Sequence, residues 1–248
     1  MIILGIDTSQ AASVALIDSG TGEILAAEQA ADQRHHVEFI GPALARVLAR
    51  PEAPELVVTG TGPGPFTGLR VGIAAGIAVG LARDIPVRGL ASQAAIAEEY
   101  RRSRDTDSTV GAGTGDSEES APDERTAGLV LIAGDARRKE VYASVWDSGA
   151  ETMLAGPLVA KPADLDTELT THDINPAEVG ERLGRGFALY PDILGEPTRP
   201  EIVDPRAEFL AFAAARALAA GAELSEPVPE YLREPDAAAT PVRQSLLK

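Results

Sequence analysis

Two aspartates close apolar runs that read as strands, Asp7 after IILGI and Asp135 after LVLIAG. A carboxylate at the end of a strand in an open α/β sheet stands where such sheets place their ligands. In a duplicated fold that starts with an antiparallel hairpin, an aspartate there can handle a metal-bound phosphate. The competing reading is a turn residue that hydrogen-bonds its own backbone, and it is favoured because the rest of a phosphate-handling machinery is missing. Thr8 stands beside Asp7, while Arg137, Arg138, Glu140 and Tyr142 crowd after Asp135. This second group either lines a cleft between lobes, opposite Asp7, or forms a solvated hairpin turn.

Other candidate chemistry is weaker. The loop Gly60–Thr67, GTGPGPFT, precedes an apolar helix in the manner of a phosphate cradle. Such cradles aim backbone N–H groups at the anion, and Pro63 and Pro65 carry none. With no GxxxxGK[ST] pattern present, the loop reads as a stiff turn that fixes the start of the helix. The histidines are His35, His36 and His172. Adjacent His35 and His36 cannot share one helical face, and neither HExxH nor HxxxH supplies a second ligand, so no metal site is expected. GxSxG is absent as well.

The chain has 248 residues, 44% of them hydrophobic, and no cysteine. That length supports a large core in one or two domains. Lack of cysteine excludes a disulfide framework, thiolate zinc sites and a cysteine nucleophile, and fits a reducing cytoplasm. MIILGIDTS lacks the basic start and long apolar core of a signal peptide. With 38 acidic against 22 basic residues the net charge is −16. Phosphate contacts dominate nucleic-acid affinity, so any nucleic acid is expected to be held by a more basic partner.

One segment poses a physical question. Gly68, Gly72, Gly76 and Gly80 recur every fourth residue in GLRVGIAAGIAVGLARD, which places them on one helical stripe. Each interior glycine costs a helix about 1 kcal/mol relative to alanine, so another backbone is expected to press closely there. The apolar run Val71–Ala82 is 12 residues, short of the ~20 needed to cross a bilayer. A protein-facing helix is the expectation, with the glycines against a partner or against their own lobe.

These groups require an α/β framework. Strands are expected at Ile2–Ile6, Ser13–Asp18, Glu23–Glu28, Leu56–Thr59 and Pro86–Leu90. A helix carries Val37, Ile40, Leu44, Val47 and Leu48, kinked or restarted at Gly41-Pro42. Ser92 is expected to cap a helix over Gln93–Tyr100. Arg102–Thr126, with seven carboxylates and one branched aliphatic residue, reads as an acidic insertion unable to order itself. Beyond it the opening pattern restarts, because LVLIAGDARRKEVYASVWDSG can be laid on IILGIDTSQAASVALIDSG. The interval from aspartate to aspartate is 11 residues in the first copy and 12 in the second. This points to a duplication into two lobes, the second reduced, with a helix at Pro176–Leu183 and a strand at Gly186–Tyr190. Asp204-Pro205 is expected to start a last helix ending at Gly221, followed by an extended proline-rich tail. The divisions are 1–101, 102–126, 127–204, 205–222 (a helix packing back on the first lobe) and 223–248.

IDTSQAASVALID, HHVEFIGPAL, GTGPGPFTGLRVGIAAGIAVGLA, DARRKEVYA and PEYLR, in that order, resemble the TsaB (YeaZ) family of tRNA threonylcarbamoyladenosine biosynthesis. The resemblance implies an actin-like, Hsp70-like ATPase fold of two ribonuclease-H-like lobes. It also implies a scaffold without catalytic residues, metal or a cofactor of its own. Family members pair with a related catalytic subunit, TsaD, which moves threonylcarbamoyl from its adenylate to the adenosine next to the anticodon. The ATPase TsaE joins, a nucleotide can sit at the partner interface, and tRNA is met through the complex. First-lobe helices form the contact and self-pair into a homodimer when the partner is absent. On this basis His36, Phe39, Ile40, Leu44, Arg70, Gly72, Ile73, Gly76 and Gly80 are the expected partner interface. Asp7, Thr8, Asp135, Arg137, Glu140 and Tyr142 are the expected inter-lobe cleft. One departure is visible: Pro65 stands where the family usually has serine in GPGSFTG. The alternatives are a small kinase or ATPase of the same fold using Asp7, and a metalloprotease, after the wider family's historical glycoprotease label.

Overall fold

The computed structural model describes residues 1–31, 36–111 and 128–233. His35, residues 112–126 of the expected insertion and the end of the expected tail, 234–248, lie outside the described residues. The first half comprises β1 (Ile2–Asp7), β2 (Ser13–Asp18), β3 (Glu23–Gln29), α1 (His36–Val47), β4 (Leu56–Gly60), α2 (Phe66–Arg83), β5 (Val87–Leu90) and α3 (Gln93–Gly111). There follow β6 (Leu129–Asp135), β7 (Val141–Trp146), β8 (Met153–Ala160), α4 (Leu165–Thr171), β9 (Val179–Leu183), α5 (Arg185–Leu189), α6 (Pro191–Leu194) and α7 (Ala207–Ala219).

The strands form two sheets on one plan, ordered β3-β2-β1-β4-β5 and β8-β7-β6-β9. In the first, β1 is antiparallel to β2 and parallel to β4. In the second, β6 is antiparallel to β7 and parallel to β9. Asp7 pairs with Ser13 and Asp135 with Val141, so the hairpin turns are equally long. The extra residue of the second copy falls beyond the paired strands, since Ile2 faces Asp18 whereas Val130 faces Trp146. The repeated pairing order supports the duplication. The fold is that of two α/β lobes, the second lacking a counterpart of β5 among the described residues.

The central strands β1, β4, β6 and β7 are buried almost throughout, which explains their near-continuous apolar runs. In the first lobe α1 and α2 cover one face of the sheet, around Leu4, Ile6, Val14 and Val57. On the other face α7 packs over β1 and β2, against Ile3, Ile17 and Val58. A three-layer lobe results. Gly5 permits the approach, because a side chain there would overlap the Ala207 carbonyl.

Several elements differ from the sequence reading. Pro176–Leu183 is a single 3-10 turn, Pro176–Glu178, followed by β9, and Gly186–Tyr190 falls in α5 rather than a strand. Val179–Leu183 is held as a strand by pairing with β6, a tertiary influence that overrides a proline-led helix signal. β8, whose strand pattern Gly156-Pro157 interrupts, and α4 are further elements beyond the sequence expectation. α3 continues past Tyr100 to Gly111, so residues 102–111 are helix and not insertion. Ion pairs steady this extension, Arg101 with Glu98 and Asp105, while the Arg102 guanidinium lies 3.9 Å over the Phe212 ring.

Ser92 does not serve as the expected cap, for its hydroxyl accepts the Gly62 N–H at 3.1 Å. Asp204 is not the N-cap of α7 either. Its carboxylate pairs with Arg185, Arg206 holds the cap position, and Ser13 on β2 accepts the Ala207 N–H at 2.8 Å. Gly221, at φ 79, does stop the helix, as expected of a left-handed C-terminal residue. α1 runs unbroken through Gly41-Pro42.

Candidate functional site

The glycine stripe faces its own lobe. Gly68, Gly72, Gly76 and Gly80 are all buried. A side chain at Gly72 would overlap the Thr8 hydroxyl, one at Gly76 the Thr59 methyl, and one at Gly80 the Val87 side chain. At Gly68 an added Cβ would stand 2.8 Å from the Thr8 carbonyl oxygen. The Thr8 hydroxyl donates to the Gly68 carbonyl at 2.8 Å and accepts the Gly72 N–H at 3.1 Å. It thus joins an i, i+4 pair of helical backbone groups and pins α2 to the end of β1. The placement of Gly72, Gly76 and Gly80 at a partner interface is therefore corrected: their missing side chains admit β1, β4 and β5. Ile40 and Ile73 are likewise buried in their own lobe.

What α1 and α2 show outward is different. Leu81 is 81% exposed, Val37 72% and Ile77 38%, and no added Cβ at Gly41 would meet another atom within 4 Å. Phe39 and Leu44 are half-buried at the border of this face. His36 bonds the Gln10 carbonyl through Nε2 at 2.8 Å. By length and composition the 18-residue α2 is apolar enough to cross a membrane, but its Gly68, Leu69, Gly72, Ile73, Gly76 and Gly80 face is buried in its own lobe. Pro65 holds the N-cap at φ −61 with no side-chain cap bond.

Asp7 is fully sealed. At 0% exposure its Oδ1 accepts the backbone N–H of Ser9 at 2.8 Å and the Ser9 hydroxyl at 2.7 Å. A side chain at Gly60 would overlap the other carboxylate oxygen. Burial raises its pKa to about 6, against the opposing pull of the Ser9 and Ser92 hydroxyls. This corrects the expectation that Asp7 and Thr8 line an open cleft, for both are enclosed by α2 and the Gly60 loop. Asp135 is more accessible at 7%. It accepts the Arg137 N–H at 2.8 Å and pairs with the Arg137 guanidinium at 2.9 Å. Arg137 is exposed and Glu140 half-buried, and burial raises the Tyr142 hydroxyl. The lobes meet where Gln10 donates to the Asp135 carbonyl at 3.0 Å and Gln93 to the Tyr142 carbonyl at 3.1 Å. Among the described residues no three His, Asp or Glu side chains converge as for a metal ion.

The C-terminal segment crosses both lobes. Ser225 bridges to Gly89, and Glu230 donates its N–H to the Thr61 carbonyl at 2.7 Å. Tyr231 then stacks on Phe66, with centroids 4.4 Å apart, and receives a 2.8 Å bond from Arg70 Nε. Arg233 reaches the second lobe, donating to the Ala136 carbonyl at 3.0 Å and pairing with Glu140. Arg70, expected at a partner interface, is thus committed to the C-terminal segment. The available signal was an aromatic and a basic residue, Tyr231 and Arg233, in an otherwise acidic, proline-rich tail.

Residues 23–110 match the family model described as "TsaD: tRNA N6-adenosine threonylcarbamoyltransferase". An uncharacterized protein of Mycobacterium tuberculosis is 32% identical over 241 residues, covering 95% of this chain and 93% of that protein. An uncharacterized protein of Mycobacterium leprae is 37% identical over 172 residues, 66% of this chain but only 40% of that protein. Among solved structures, YeaZ from Pseudomonas aeruginosa superposes with a TM-score of 0.65 at 26% identity, covering 93% of this chain and 99% of that one. A second structure, described as an uncharacterized protein with similarity to peptidase YEAZ from the same organism, gives 0.64 at 27% identity, covering 94% and 99%. Together with the two-lobed fold, these likenesses establish that the chain belongs to the TsaB (YeaZ) family.

Proposed function

We propose that this chain is a non-catalytic subunit of the machinery that adds threonylcarbamoyl to a tRNA adenosine, and that it pairs with a TsaD-like catalytic subunit through the outer face of α1 and α2. The observation that carries this reading is the exposure of Val37, Ile77 and Leu81 on two adjacent helices. Ile77 and Leu81 stand one turn apart on α2 and so share a stripe, and adjoining exposed apolar side chains mark interaction sites. Both helices lie inside the span that matches the TsaD family model. Related lobes carrying related faces can pair about a pseudo-two-fold axis, and one such face can also pair with itself. Self-association in the absence of the partner follows from the same surface. A TsaE-like ATPase and tRNA join through the assembled complex, with any nucleotide at the partner interface.

Burial of Asp7 argues against the rival kinase or ATPase. A carboxylate sealed behind Gly60 and Ser9 does not reach a metal-bound phosphate without the hairpin turn opening. The test is co-purification of this chain with a TsaD-like subunit. Leu81→Asp and Val37→Asp are expected to abolish the complex while leaving the melting temperature of the free chain unchanged, because both side chains already face solvent. Undiminished recovery of the complex with both variants would overturn the proposal.

A further inference from the structure

The two lobes cover matching faces of their sheets unequally. Counting back from Asp7 and Asp135, Ile3 corresponds to Leu131. Over Ile3 lies the 13-residue α7. Over Leu131 lie only α4, α5 and α6, of seven, five and four residues. These short elements do not close the face, and a cavity of about 250 Å³ remains among them. Leu131, Leu165 and Phe187 form its buried floor, and Ile193, 57% exposed, stands at its mouth. Two charged side chains from separate elements interrupt the apolar lining, Asp166 on α4 and Arg182 on β9. Arg182 pairs with Leu131 across the parallel β6–β9 ladder, so its stem projects from the same face of the sheet. Its Nε donates to the Glu196 carbonyl at 3.0 Å, which orients the guanidinium and leaves its two Nη groups for another acceptor. Arg182 is half-buried and Asp166 exposed. Among the described residues neither forms an ion pair, with the other or elsewhere.

We propose that this pocket binds one free amino acid with an apolar side chain. The side chain fills the hollow, the α-carboxylate meets the Arg182 guanidinium and the α-ammonium meets the Asp166 carboxylate. A guanidinium whose Nε is already committed presents its two Nη groups as a fork, and such forks match carboxylate oxygens in pairs. A cavity of about 150 Å³ holds a benzene-sized molecule, so one of about 250 Å³ admits leucine or phenylalanine and not a nucleotide. An apolar acid lacking the amine would leave the Asp166 charge unmatched, and an apolar amine would leave that of Arg182. A polar side chain would lose its hydrogen bonds to water against Leu131, Leu165 and Phe187. The pocket belongs to the second lobe, apart from α1 and α2, so the site does not depend on the pairing proposed above.

The test is calorimetric titration of the full chain, without partner, with leucine, phenylalanine and serine. The analogues that lack one charge are titrated beside them: isocaproate and isopentylamine for leucine, hydrocinnamate and phenethylamine for phenylalanine. Leucine or phenylalanine is expected to saturate one site, and saturation by only one of them supports the site and sets its size. Serine and both analogues of the bound amino acid should bind about tenfold or more weakly. Asp166→Asn and Arg182→Gln should each weaken the amino acid by about tenfold or more. Asp166 is exposed, so its variant reads binding without disturbing the fold, and circular dichroism checks both variants. No saturation by either apolar amino acid, equal affinity for serine, equal affinity for both analogues, or wild-type affinity in both variants would overturn the proposal.

Discussion

Asp7 and Asp135 end the central strands of two sheets built on one plan, and each accepts the backbone N–H two residues further on at 2.8 Å. Their surroundings diverge from there. The first turn, Thr8–Ala12, is buried along its whole length beneath α2. The second carries Arg137, Arg138 and Lys139 into solvent in left-handed conformations. Thr8, whose hydroxyl pins the glycine helix, corresponds to Ala136 in the second lobe, where the sheet order ends at β9. A shared hairpin and a shared aspartate therefore say little about chemistry. What covers the turn decides whether its carboxylate is sealed, as at Asp7, or keeps a small exposure and an arginine partner, as at Asp135.

The contrast can be broken most forcefully at the stripe. Gly76→Leu drives a side chain into Thr59 and Val57, and overpacking of this kind is expected to cost about 3 kcal/mol or more. Urea denaturation, or failure to recover folded protein, reads the effect. A fully stable variant would show that the stripe is not packed on its sheet.

The next effect is pH-dependent. An acid whose pKa is raised on folding binds more protons in the folded than in the unfolded state, so stability falls as pH rises between the two values. For Asp7 that window runs from 3.8 to about 6, and the loss above it is on the order of 2–3 kcal/mol. Glu99, raised to about 7 chiefly by burial despite Arg206, adds a fall of the same sign at slightly higher pH. Asp7→Asn should remove the lower part of this slope and leave the protein more stable at pH 7. Chemical denaturation across pH 4–8 checks it, and an unchanged profile in Asp7→Asn would show that the carboxylate is not sealed as described.

Smaller still is Thr8→Val, which keeps the shape and deletes the hydroxyl that joins Gly68 to Gly72. A loss of about 1–3 kcal/mol is expected in the same denaturation assay, because buried backbone groups lose a partner. In the second turn, Arg138→Gly relieves a residue at φ 52 and should stabilise by roughly 1 kcal/mol. Matching losses from Thr8→Val and Arg138→Gly would erase the distinction between the turns.

The opening hairpin, the glycine helix and the repeat were legible because they depend on local pattern: strand alternation or apolar runs, a four-residue glycine spacing, and two aspartates at matching places. The direction of the glycine stripe was not legible. Periodicity reports that something presses on one face, whereas the identity of Thr8, Thr59 and Val87 as the pressing groups is a tertiary fact. Short elements of the second lobe failed for the same reason, since Val179–Leu183 is a strand only because β6 lies beside it. Ser92 and Asp204 carry good cap chemistry, but their side chains are taken by Gly62 and Arg185. The inter-lobe group around Asp135 was found by residue type, while its contact with Arg233, about ninety residues downstream along the chain, was not.

The central claim is that function resides on the outer face of α1 and α2 and not in the carboxylate at the end of β1. Reconstituted threonylcarbamoyl transfer to tRNA, with a TsaD-like subunit and its other components supplied and this chain added as wild type, Asp7→Asn or Leu81→Asp, tests it most directly. The account predicts full transfer with Asp7→Asn and loss of transfer with Leu81→Asp. Transfer lost in Asp7→Asn with the complex intact, and retained in Leu81→Asp, would contradict it.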